Sequence, residues 1–110
     1  MYLKTIIFRP LILIILTVGP GAVIAKEWYE GGTLHRSTGA QWRVAPADNR
    51  LATSADFATS LRKPRTMTEM RANAENLEVC ISKTVGGHAS DTMKVTEIAA
   101  MCASILGYGK

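Results

Sequence analysis

The 110-residue sequence predicts an all-α protein: a small domain of three to four helices, two of them joined as a hairpin by one disulfide, behind a cleaved N-terminal signal peptide. Three observations predict it. Apolar side chains recur at steps of three and four, no useful stretch alternates apolar and polar residues, and the two cysteines fall on successive helical repeats.

The first element is residues 1–25. Lys4 and Arg9 form a basic start, and Leu11 to Val18 form an apolar core broken only by Thr17. Gly19-Pro20-Gly21 then ends the helical stretch before Val23 and Ala25, which occupy the positions a signal peptidase reads. Only 16 residues separate Arg9 from Lys26. A bilayer span needs about 20, so cleavage is expected, with no stable membrane insertion afterwards. No cysteine precedes Cys80, so no thiol stands near the junction to take a lipid. The remaining 85 residues, 26–110, have room for one small domain, expected in the periplasm or secreted.

Residues 26–32 show no period and are read as an extended arm whose Trp28 and Tyr29 lie back on the body. From Thr33, apolar groups at Leu34, Thr38, Trp42 and Ala45 step by four, predicting a short first helix weakened at Gly39 and stopped by Pro46. Pro46 is placed to open a second helix with Leu51, Ala55, Ala58 and Leu61 inward and Phe57 at the edge. A restart at Thr53, with Asp56 three residues on, is the alternative, and either helix ends near Lys63-Pro64. Thr66-Met67-Thr68-Glu69 reads as a capping box for the third helix, followed by Met70, Ala74, Leu77 and Ile81 on the face of Met67, with Gly86-Gly87 as the stop. His88 to Asp91 connect to a fourth helix starting between Asp91 and Thr96. Its inward residues are expected to be Val95, Ile98, Met101, Cys102, Ile105 and Leu106, and Gly107 and Gly109 end it.

Cys80 and Cys102 are expected to form a disulfide, because an exported domain this small has a thin core and an oxidising surrounding. Beyond residue 25 there are 35 apolar residues, 12 of them alanine. Closing a loop of this length contributes on the order of 3 kcal/mol. A redox couple would place its thiols as Cys-x-x-Cys, and a zinc site would have only His35 and His88 to complete it, so neither a metal nor a cofactor is expected.

Chemistry is sparse. The disulfide consumes both thiols, and no Gly-x-Ser-x-Gly elbow is present. His35 with Glu30 could shuttle protons, but a partly exposed ring packing near Trp42 is the expectation, and His88 reads as a solvated loop residue. Gly31-Gly32-Thr33 reads as a flexible joint and not an anion cradle. Beyond residue 25 there are 11 basic and 9 acidic residues, too even a balance to argue for nucleic acid or an anionic membrane. The candidates for contact with a partner are the aromatic pair Trp28 and Tyr29, with Trp42 as a further anchor, and the basic cluster Arg62, Lys63 and Arg65 around Pro64.

In its signal, size, helices and single cysteine pair, the chain resembles two groups of small periplasmic helical proteins. These are acid-stress chaperones of the HdeA type and immunity proteins against secreted effectors. A stapled scaffold without a catalytic constellation is expected to act by contact with an unknown periplasmic or envelope protein and not by catalysis; the resemblance implies two alternatives, neutralising an effector or opening at low pH to expose Met67, Met70, Met93 and Met101.

Overall fold

The computed structural model describes residues 26–109, so the signal-peptide reading of residues 1–25 lies outside them. Within that span the chain forms helices α1 (Gly39–Arg43), α2 (Ala47–Leu61), α3 (Met67–Thr84) and α4 (Val95–Leu106), with a 3-10 turn at His88–Ser90. The described residues form no strand. A single antiparallel bridge pairs Thr38 with Lys94.

The longest element, α3, starts where its cap predicts. Thr66 Oγ1 accepts the Glu69 N–H at 3.0 Å, satisfying one of the free donors of the first turn. The reciprocal half of the expected box differs, since the Glu69 carboxylate takes the N–H of Arg65 at 2.9 Å instead of that of Thr66. Asn73, Ala74, Leu77 and Ile81 turn inward, whereas Met67, in the first turn, stays exposed.

Helix α4 runs back along α3. At its start the Val95 N–H donates to the Ser37 carbonyl, and past its end the Tyr108 hydroxyl donates to the Asn73 carbonyl in the first half of α3. Gly107, at φ +82°, gives the left-handed turn that stops it. Cys80 and Cys102 are bonded across this antiparallel hairpin, their Cα atoms 5.9 Å apart. Val95, Ile98, Ala99, Cys102 and Ala103 are buried. Met101 and Ile105, expected inward, are 46% and 79% exposed. The α2–α3 pair covers only one side of α4, and alanines 99 and 103 occupy the seam in place of the larger side chains.

That seam is narrow because α2 meets its neighbours with small residues: Ala52, Thr53, Ser54, Ala55 and Ala58 are buried. Leu51 is half-buried and Leu61 exposed, so the buried face is rotated from the one the large side chains predicted. Pro46 is the N-cap, one residue before the first helical position, and α2 continues through Thr53 without a restart.

The first helix is shorter than expected. Thr38 caps it in a complete capping box with Gln41, leaving Gly39–Arg43 helical. Residues 33 and 34 are held elsewhere, their N–H groups donating to Asn49 Oδ1 and Thr53 Oγ1 of α2. Gly39 does more than weaken the helix, because a Cβ there would lie 2.2 Å from the Ser90 carbonyl oxygen. The close approach lets Trp42 drop fully into the core with Leu77, Ile81, Val85, Val95 and Ile98. Its indole N–H donates to Ser82 Oγ, Ser82 donates to Glu78, and Glu78 pairs with Arg50 at 3.1 Å, so one polar chain ties α1, α2 and α3 together.

Candidate interaction face

Residues 27–30 close a turn in place of a fully extended arm: the Glu30 N–H donates to the Glu27 carbonyl, and the Glu27 N–H donates to Glu30 Oε1, each at 3.0 Å. Gly31 continues at φ +84°. Gly32, read as half of a flexible joint, instead lies against α2, where a Cβ would sit 2.6 Å from the Thr53 amide nitrogen. The turn is therefore fixed to the body, and it fixes Trp28.

Trp28 and Tyr29 meet edge to face with ring centroids 5.4 Å apart, and the Arg71 guanidinium lies 4.7 Å from the Trp28 ring centroid. Arg71 is itself held by Glu75, one turn on, at 2.7 Å. A shallow groove of about 460 Å³ results, lined by Trp28, Met67, Thr68, Arg71, Ala72 and Glu75. A second, of about 550 Å³, shares Thr68 and Ala72 with it and is bounded by Arg65 and Glu69. Two candidates far apart in sequence, Trp28 and Arg65, thus flank one face on the first half of α3.

The rest of the basic cluster divides. Arg65 pairs with Glu69 at 3.4 Å, whose carboxylate is held below its ordinary range by the Arg65 N–H first and the guanidinium second. Arg62 stacks 5.6 Å from the ring centroid of Tyr108, a phenol whose pKa burial raises. Lys63 is exposed and belongs to neither groove. Trp42, the third aromatic candidate, is core.

A third concavity, of about 450 Å³, shares Trp28 with the first groove and is lined also by Lys26, Glu27, Glu30, Asp48 and Asn49. No short motif marks it, because its acids come from an irregular turn and from the start of α2.

Both histidines face carboxylates. His35 Nε2 lies 2.8 Å from Asp56 Oδ2, with the half-exposed ring edge-on to Phe57. His88 Nδ1 lies 2.9 Å from Asp91 Oδ2, while the other oxygen of Asp91 accepts from Arg43. Arg43 also donates to the Val85 carbonyl at 2.8 Å, so this cluster clamps α1 to the α3–α4 connection. Arg43 chiefly, and His88 secondly, hold the Asp91 pKa below its ordinary value. Among the described residues no group of three or more His, Cys, Asp or Glu side chains is placed to hold a metal ion. No described helix is long and apolar enough to cross a membrane. No family model matches the sequence, and neither does any curated protein or solved structure.

Proposed function

We propose that this is an exported, disulfide-stapled helical protein that acts by contact with another protein in the periplasm or cell envelope, and not by catalysis. The disulfide is compatible with an extracytoplasmic site. The observation that carries the reading is Trp28, pinned over α3 by Arg71 beside the exposed Met67, which gives an aromatic and an apolar anchor on a rigid support. Neutralising a secreted effector is one form of such action. The test is affinity capture from envelope extract with the oxidised protein, followed by rebuilding the complex from purified components. A saturable one-to-one complex supports the reading, and failure to rebuild any captured pair overturns it.

One observation favours a second reading, an acid-opened chaperone of the HdeA kind. The clamp between α1 and the α3–α4 connection includes the Asp91 carboxylate, held by Arg43 and His88, so acid weakens it. Suppression of client aggregation at about pH 2–3, where carboxylates are protonated, would support this reading, and its absence there would remove it.

A further inference from the structure

Building on the contact reading, we infer that the two cavities lined in common by Trp28 take a segment of a partner protein in which a lysine or arginine lies close to an apolar side chain. Nine carboxylates occur in the sequence, and five of them, Asp56, Glu69, Glu75, Glu78 and Asp91, are ion-paired. Of the four without an ion pair among the described residues, Glu27, Glu30 and Asp48 line the same cavity beside Trp28. Only Lys26 offsets them there. In a protein with an excess of basic residues, this is a local surplus of negative charge.

Local structure uses only part of these groups. Glu30 gives one oxygen to the Glu27 N–H and Asp48 gives one to the Asn49 N–H, leaving Oε2 and Oδ2 without partners among the described residues. Asp48 also suits the first turn of α2, a role that one charge fulfils and that accounts for neither glutamate. The cavity volume of about 450 Å³ admits a lysine or arginine side chain. The groove that shares Trp28 with this cavity offers apolar surface over Met67 and Ala72. A cation in the acidic cavity and an apolar side chain in the neighbouring groove therefore match both at once.

The probe is a library of displayed random linear peptides, selected on the oxidised protein at low salt. The expected winners carry Lys or Arg within a few residues of Leu, Ile, Met or Phe. Neutralising the cavity with Glu27→Gln, Glu30→Gln and Asp48→Asn together, which keeps the local hydrogen bonds, should weaken the best peptide by roughly five- to ten-fold and flatten its salt dependence. Met67→Ser should weaken it while leaving the salt dependence unchanged. Winners without basic residues, no winners, or basic winners indifferent to the neutralised cavity would each overturn the inference. Acidic winners that are lost in Trp28→Ala would overturn it while leaving the contact reading intact.

Discussion

Reducing the Cys80–Cys102 bond perturbs the fold without removing a packed side chain. The cysteines are 22 residues apart and enclose the end of α3, the 3-10 turn and most of α4. Opening a loop of that length returns roughly 3 kcal/mol of chain entropy to the unfolded ensemble. With an unfolding entropy of roughly 2.1 cal/mol/K per residue over the described span, that is a fall in Tm of roughly 15 °C. The folded state should change little, because Leu77, Ile81, Val85, Val95 and Ile98 hold the same seam with or without the bond. Far-UV circular dichroism melts with and without reductant, repeated on Cys80→Ala/Cys102→Ala, would read the shift. The reduced protein should keep its helical signal at room temperature and melt early. A fall in Tm below about 5 °C in both comparisons would refute the claim that the staple is a principal stabiliser.

Other consequences follow from single contacts. Gly39→Ala puts a methyl against the Ser90 carbonyl and should cost about 1–3 kcal/mol in urea unfolding, with a change under about 0.5 kcal/mol counting against the close approach. Trp42→Phe loses the indole donor to Ser82 and leaves a void in the core, so a loss of about 1–3 kcal/mol is expected by the same measurement. For Asp91 the folded pKa lies below the unfolded one, so its contribution is fully present above the ordinary carboxylate range and disappears as pH falls through the lowered value. Tm should therefore drop on acidification from about pH 5 to pH 2, and less steeply in Asp91→Asn; parallel curves for the two proteins would contradict the clamp.

What the sequence revealed and what it hid have physical reasons. Helix α3 was legible because its cap and its apolar steps are local, and the disulfide because only two cysteines lie on adjacent repeats. The start of α1 was not, since Leu34 and Thr38 sit at helical spacing while the backbone N–H of Leu34 is taken by Thr53 of α2, a partner 19 residues away. The inward face of α2 was hidden in Thr53 and Ser54, residue types usually found at surfaces but here buried where helices come close. Helix α4 is apolar on most sides, so periodicity alone could not exclude Met101 and Ile105 from the core. The candidate face was legible only as parts: Trp28 and Arg65 could be singled out, but the groove between them exists only once residues 27–30 turn back over α3.

The contact reading meets its most direct test in Trp28→Ala, with affinity for the rebuilt partner and Tm measured on the same samples. Removing a central aromatic anchor should weaken binding by about thirty-fold or more, while the loss of the half-exposed ring's contacts with Tyr29 and Arg71 moves Tm by only a few degrees, about 5 °C or less. Affinity within about two-fold of the unmodified protein, with Tm likewise unchanged, would contradict the assignment of this face, since a buried aromatic hot spot costs about 2 kcal/mol or more when truncated.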